Sequence, residues 1–326
     1  ISAQVEFADL ALVVVDEQHR FGVNQREALR AKAKLSPHTL TMTATPIPRT
    51  LAITVFGDLE VSTLRELPAG RQPISSHVVQ VSEPKLVSRV WQRVAEEIRA
   101  GRQAFVVCPR IEPGTLEEGE TEELGITEQV APAAAAEVFE ALKLNPNLAG
   151  VSIGLLHGKL DSATKDAVMQ AFSAGEIQLL VSTTVIEVGV NVPNATAMVI
   201  LDADRFGISQ LHQLRGRVGR GSYAGICLML TAAEPGSLAL QRLEAVASTL
   251  DGFELSEIDL ELRGEGDVLG ENQSGGRSQL KLLRVTRDGP LIEESRQLAI
   301  EMLDQGLNPR LEQVLKEIDA QALSRG

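Results

Sequence analysis

Short apolar and β-branched runs recur along the first 230 residues: Leu12 to Val15, Thr39 to Thr43, Ser76 to Val81, Ala104 to Cys108, Val151 to Leu155, Leu179 to Ser182, Met198 to Leu201 and Ile226 to Leu230. Runs this short, mostly lacking strict polar alternation, are the pattern of strands covered on both faces. Between them the spacing becomes helical. Val87, Val90, Trp91, Val94 and Ile98 fall on one helix face, and the pattern stops at Gly101. Asp161 or Ser162 can cap a further helix running to Phe172. Strands alternating with sheet-covering helices predict βαβ units and an α/β fold.

The turn-rich stretch Leu67-Pro68-Ala69-Gly70-Arg71-Gln72-Pro73 predicts a boundary near residue 74. After about residue 233 the strand signals fade, and helical patterns over Leu238 to Leu250, Leu291 to Leu303 and Arg310 to Leu323 surround a glycine-rich middle. The chain therefore reads as three parts: residues 1–74, residues 75–232 and a mostly helical 233–326. No internal repeat at a fixed short period is present.

At 326 residues the chain is long enough for two compact domains and an appendage. Hydrophobic residues at 44% and charged residues at 23% exclude a collagenous, largely disordered or disulfide-built chain. Aromatic residues make up only 3%, so the core must be Leu, Val, Ile and Ala, and an aromatic platform for single-stranded bases is not expected. Cys108 and Cys227 sit in strand-like runs without metal-binding spacing, as core thiols of a reducing compartment do. No apolar stretch approaches membrane-spanning length, and ISAQVEFADL has no signal-like core, so a soluble, cytoplasmic protein is expected.

The net charge of −13, from 31 basic and 44 acidic residues, taken alone argues against nucleic acid. Its distribution changes that picture. Glu112 to Glu128 holds seven glutamates and no basic residue, the composition of a solvated loop. Arg205 to Gly221 holds four arginines and no acidic residue.

Several segments carry candidate chemistry. Leu12 to Val15 leads into Asp16-Glu17-Gln18-His19, two carboxylates at a strand's carboxyl end, where ligands of α/β sheets bind. Asp16 can hold Mg²⁺ through water, and Glu17 can deprotonate an attacking water; the plainer alternative is a helix-start turn. Thr43 and Thr45 bring hydroxyls to the next strand exit, to relay state or merely to cap a helix. The segment from Gln213 through Arg215, Arg217 and Arg220 to Gly221 is the most specific signal, because guanidinium forks beside glycines match phosphate oxygens. Upstream, Thr183, Thr184 and Gly189 suit a backbone phosphate or ribose. No GxxxxGK[ST] phosphate cradle occurs, which leads us to expect the later part of a longer chain, and no ATPase activity from this part alone.

Asp16-Glu17-Gln18-His19, Thr43-Ala44-Thr45 and Gln213 to Arg220, in this order and spacing, resemble motifs II, III and VI of superfamily 2 helicases. DEQHRFGVNQR (16–26), PHTLTMTATPIPRTLAITVFGDLEVS (37–62), ELPAGRQPI (66–74) and DGFELSEIDLELRGEGDVLGENQSG (251–275) resemble the bacterial RecG family of ATP-dependent DNA helicases, over nearly the whole chain. The resemblance implies RecA-like parallel-sheet lobes, the first truncated, and a helical hairpin and hook that couples ATP turnover to DNA movement. It implies ATP and Mg²⁺ as cofactors and a catalytic set of Asp16, Glu17, His19, Gln213, Arg217 and Arg220. Coupling would fall on Thr43, Thr45, Arg242, Arg263 and Gln273, and DNA contact on Thr183, Thr184 and Gly189. The implied partners are branched double-stranded DNA, namely forks and Holliday junctions, with a single-strand-binding protein as a further candidate. The implied setting is a monomer in the bacterial cytoplasm, at the nucleoid when acting, with no membrane. Two rival readings stay open: a non-catalytic DNA- or protein-binding module, and the transcription-repair coupling translocase, which shares the TATPIPRT segment and a similar tail.

Overall fold

The computed structural model describes residues 5, 7–17, 32, 37–43, 62–64, 72–109, 134–184, 192–263, 289–306, 310–311 and 313–315. The chain divides into two compact units, residues 1–46 with 66–259 and residues 47–65 with 260–326.

In the first unit, β1 (Leu12–Val15) pairs in parallel with β2 (His38–Thr41), so that Leu12 faces His38 and Val15 faces Thr41. Val13 and Val15 are buried while Leu12 and Val14 are exposed, so β1 is covered on one face rather than two. The larger sheet has six parallel strands: β3 (Ile74–Gln80), β4 (Gln103–Val107), β5 (Ile153–Leu156), β6 (Leu179–Ser182), β7 (Ala195–Ile200) and β8 (Gly225–Thr231). Their order is β3-β8-β7-β4-β6-β5. The four-residue runs read at Leu12 and Leu179 match their strands end to end, and the others lie within about three residues of theirs. The architecture is thus the expected α/β, parallel-sheet class.

Every residue of β4, β6 and β7 is buried, as central strands covered by helices on both faces require. On one face lies α1 (Pro84–Arg99), whose Val90, Val94 and Ile98 join Ala104 and Val106 of β4 in a single cluster. Pro84 suits the first helical turn, where its missing N–H has no carbonyl to serve. α2 (Ala135–Lys143) adds Ala135 and Leu142 to that cluster. On the opposite face Phe172 of α3 (Ser162–Ser173) packs against Phe105, ring centroids 4.9 Å apart. Asp161 caps α3, its carboxylate accepting from Thr164 N–H at 2.9 Å. α4 (Ile208–Arg215) follows β7, and α5 (Leu238–Ser248) packs on β3, on α4 and on the turn at 203–205.

Cys108 and Cys227 are buried free thiols. Burial drives the Cys108 thiol far above its ordinary range, with the charge of Asp202 adding to the effect. Burial pushes Cys227 up to about 12 against the opposing influence of Arg215.

α6 (Gly252–Arg263) was not legible as a helix; Asp251 starts it by accepting from Phe253 N–H at 2.8 Å. In the second unit the described residues include 62–64, the end of α6, α7 (Gly289–Gln305) and helical residues at 310–311 and 313–315. Leu291, Leu298, Ile300 and Leu303 of α7 are exposed. No helix among the described residues is long and apolar enough to cross a membrane. The acidic run 112–128 lies outside the described residues.

One buried carboxylate ties α1 to the sheet. Glu97, 3% exposed, accepts from Thr196 Oγ1 of β7 at 2.5 Å, from Arg93 at 2.6 Å and from Arg102 Nε. Burial pushes its carboxyl upward, but the hydrogen bonds from Arg102 and Thr196 and the charges of Arg93 and Arg102 outweigh it. The group is held below the ordinary carboxylate value. A carboxyl depressed in the folded state stabilises fully above its unfolded value, and that contribution fades as pH falls through the folded one. Glu97→Gln should therefore lower stability by about 2–3 kcal/mol at neutral pH. The deficit should shrink below about pH 4.5, near the ordinary carboxylate value. Urea melts of the chain at neutral and acidic pH measure this, and a deficit unchanged by pH would remove Glu97's ionisation from the account.

Candidate functional site

β1 ends at Val15, and the parallel register with β2 brings Asp16 and Glu17 alongside Met42 and Thr43, with Met42 N–H donating to Val15 O at 2.8 Å. Asp16 is exposed, and its Oδ1 accepts the Glu17 N–H at 2.9 Å. Glu17 is half-buried with φ +50°, in the left-handed region. A glutamate held there costs about 1 kcal/mol or more, which neighbouring structure must offset, and such residues cluster at working sites. Asp202, just beyond β7, is the other non-glycine with positive φ among the described residues, at +46°. The carboxylate pair and Thr43 thus share one strand edge. An exposed carboxylate there offers the hard oxygens that magnesium takes together with phosphate and water, so Asp16 fits that ion. Among the described residues no three His, Cys, Asp or Glu gather to hold a metal by protein ligands alone.

The arginine segment begins inside α4, whose Ile208, Leu211 and Leu214 face inward. The helix ends through tightening turns: Gly216 N–H donates to His212 O, Arg217 N–H to Leu214 O and Val218 N–H to Arg215 O. Val218 is buried, and Gly219 turns the chain at φ +69°. A Cβ at Gly219 would lie 3.0 Å from Ile74 Cγ1, and one at Gly221 only 2.3 Å from Pro193 O. The loop is therefore pressed against the chain entering β3 and β7, at the amino edge of the sheet.

The three guanidiniums on this loop have different surroundings. Arg215 is buried, bonded to the backbone of α5's carboxyl end. Arg217 is half-buried, and Arg220 is exposed with its Nε donating to Gly216 O at 2.8 Å. Gln213 is half-buried on α4. Close spacing in the sequence, by steps of two and three, concealed Arg215's inward direction; the only cue was its step of four from Leu211, on the buried face.

Thr183 and Thr184 lie just past β6, at the opposite, carboxyl edge. The six residues of β7 span about 20 Å between these edges. The fold therefore separates the threonines from the arginine loop by the height of the sheet. Ser182 Oγ, Thr183 Oγ1 and His157 Nδ1 are buried there without a hydrogen-bond partner. Such atoms cost about 1–3 kcal/mol each unless a ligand or water serves them. Ser182 opens the hydroxyl-bearing segment that the sequence offered for a backbone phosphate or ribose; His157 was not among the sequence-derived candidates. Arg242 lies within α5, its Nε buried and without a hydrogen-bond partner. Arg263 is the last residue of α6. His19, Thr45, Gly189 and Gln273 lie outside the described residues.

Comparison with known proteins adds three findings. Residues 87–222 match the helicase conserved C-terminal domain, and residues 249–320 match domain 3, C-terminal, of the ATP-dependent DNA helicase RecG. The ATP-dependent DNA helicase RecG of Mycobacterium leprae is 55% identical over 90% of this chain and 39% of its own length. That of Bacillus subtilis is 48% identical over 93% of this chain and 42% of its own. A solved structure of RecG bound to a three-way DNA junction is similar with TM-score 0.61 and 37% identity, covering 89% of this chain and 34% of that one. The chain thus spans about two-fifths of the length of the curated relatives it matches.

Because a Cβ at position 221 would overlap the Pro193 carbonyl, Gly221→Ala must displace the arginine loop or the entry to β7. We expect a loss of about 1–3 kcal/mol. Chemical denaturation of the chain measures it, and an unshifted midpoint would mean that the close approach is not maintained in solution.

Proposed function

This chain belongs to the RecG family of ATP-dependent DNA helicases, and on that premise we propose that it is the C-terminal motor part of an enzyme that remodels branched DNA. The observation that carries the reading is the match of residues 249–320 to domain 3, C-terminal, of RecG, in the same chain as the helicase match at 87–222. A generic helicase lobe or a bare binding module has no need of that tail.

In the proposed division, residues 1–74 belong to the first lobe, 75–232 to the second and 233–326 to the translocation element. ATP is hydrolysed between the two lobes. Asp16 would hold Mg²⁺ through water, and the ion would supply neutralisation of charge on the nucleotide's phosphate oxygens. Glu17 orients and deprotonates the attacking water, with His19 beside it, and its left-handed backbone supports a fixed direction for that carboxylate. Gln213 senses the nucleotide, and Arg217 and Arg220 meet charge developing on the γ-phosphate. The exposure of Arg220 on a pinned loop favours that role.

Closure and release of the lobes form the stroke, relayed by Thr43, Thr45, Arg242, Arg263 and Gln273. Thr183, Thr184 and Gly189 hold the DNA backbone, and Ser182 and His157 add unpartnered polar atoms at the same edge. Contacts of this kind ignore base sequence and weaken steeply with salt. The proposed substrates are replication forks and Holliday junctions, processed by a monomer that can also meet a single-strand-binding protein in the cytoplasm near the nucleoid.

Two substitutions in the full-length enzyme test this. Glu17→Gln should leave junction binding near wild type while DNA-stimulated ATP hydrolysis collapses; near-normal turnover would dismiss Glu17 as the base. Arg220→Ala should lower kcat by at least about a hundredfold. This chain alone, which lacks a GxxxxGK[ST] cradle, should not hydrolyse ATP. Robust Mg²⁺-dependent turnover by the purified chain would overturn that expectation.

A further inference from the structure

Tyr223, the single tyrosine of the chain, stands at the far end of the loop that carries Arg217 and Arg220. That loop runs along the amino edge of the larger sheet. Gly219 lies against Ile74 where β3 begins, Gly221 against the Pro193 carbonyl ahead of β7, and Tyr223 over Arg102 ahead of β4. Gly225 N–H then returns to Pro73 O at 2.9 Å, and β8 starts. The close approaches at Gly219 and Gly221 pin the chain on both sides of Arg220, so Tyr223 leaves a fixed segment.

The exposure of this ring sets it apart. Tyr223 is 54% exposed, the most exposed aromatic residue among those described, whereas Phe105, Phe172 and Phe206 are enclosed. Ser222 and Ala224 on either side are small and themselves exposed, so they do not cover it. Its other face is backed. The Arg102 guanidinium carbon sits 5.4 Å from the ring centroid, a cation–π contact. Arg102 is held in turn, since its Nε donates to Glu97, the buried carboxylate that also accepts from Thr196 Oγ1 of β7 at 2.5 Å.

A flat ring on a fixed cation, open to solvent on the opposite side, matches a flat π-rich partner, and a nucleobase is such a partner. The surrounding charge narrows its source. The same loop presents the guanidiniums of Arg217 and Arg220, with no acidic residue from Arg205 to Gly221, so the partner carries phosphates beside its base. A nucleoside triphosphate joins both in one molecule, whereas a duplex keeps its bases inside the stack. One ring serves one base, in keeping with an aromatic content of 3%.

We propose that Tyr223, backed by Arg102, stacks on the purine of the nucleoside triphosphate whose phosphates meet Arg217 and Arg220. The proposal rests on the ATPase reading above and adds to it a place for the base.

The test uses the full-length enzyme and compares Tyr223→Ala, which removes the ring, with Tyr223→Phe, which keeps it. Tyr223→Ala should raise the KM for ATP at least about fivefold, the lower end of what a stacked base loses with its aromatic partner, while kcat stays within about threefold. Tyr223→Phe should restore the KM. Inorganic tripolyphosphate, which has phosphates and no base, should inhibit wild type and Tyr223→Ala equally, and junction DNA should bind both equally. An unchanged KM for ATP overturns the proposal, and weaker binding of unpaired DNA alongside it would assign the ring to a DNA base instead. A parallel loss for ATP and tripolyphosphate also overturns it, because the loop rather than the base contact has then been disturbed. In each of these cases the ATPase reading stands; a wild-type enzyme that does not hydrolyse ATP removes that reading as well.

Discussion

All six strands of the larger sheet run the same way, so every connection must carry the chain back across the sheet's height before the next strand starts. This single constraint distributes the chemistry. Whatever follows a strand emerges at the carboxyl edge, and this is where Ser182, Thr183 and Asp202 are found. Whatever precedes a strand is delivered to the amino edge, and the Gly216 to Gly221 loop, which ends just before β8, is pressed there against Ile74 and Pro193. The two groups of candidate residues are thus kept apart by topology alone.

Charge buried within this frame works by geometry rather than by the sum. Glu97 is accepted among Arg93, Arg102 and Thr196, and Arg215 among helix-end carbonyls and His212. Each joins elements distant in sequence: α1 to β7, and α4 to the turn beyond α5. A buried ion is costly unless its hydrogen bonds are met, so such groups fix a single arrangement of their neighbours more firmly than apolar contact does. The net charge of −13 conveys none of this.

The strands were legible because a buried parallel strand leaves an unambiguous apolar run, and Leu179 to Ser182 was read end to end. α1 was legible because one continuous face repeats at helical spacing. α6 was not, since acidic and apolar residues in ELSEIDLEL mix around the helix and glycines flank it. Among the site residues, Asp16 and Glu17 were readable from a strand ending in carboxylates. Arg215 was hard to separate from Arg217 and Arg220, because what distinguishes them is that Arg215 still lies on the buried face of α4 while the other two follow its end. Ser182 was readable with Thr183 and Thr184 as a hydroxyl-bearing strand end, whereas His157 carries no signal until parallel pairing sets its strand end beside that of Ser182.

The two cysteines give this lobe a built-in recorder of its own opening. Each thiol sits in or directly beside a sheet strand, fully enclosed, with its ionisation suppressed by that enclosure. Thiolate is the species that alkylating and oxidising reagents attack, so while the sheet is closed both sulfurs are chemically silent. Modification found at Cys108 or Cys227 would therefore mark molecules in which the strands had come apart, and its rate would follow how often they do so.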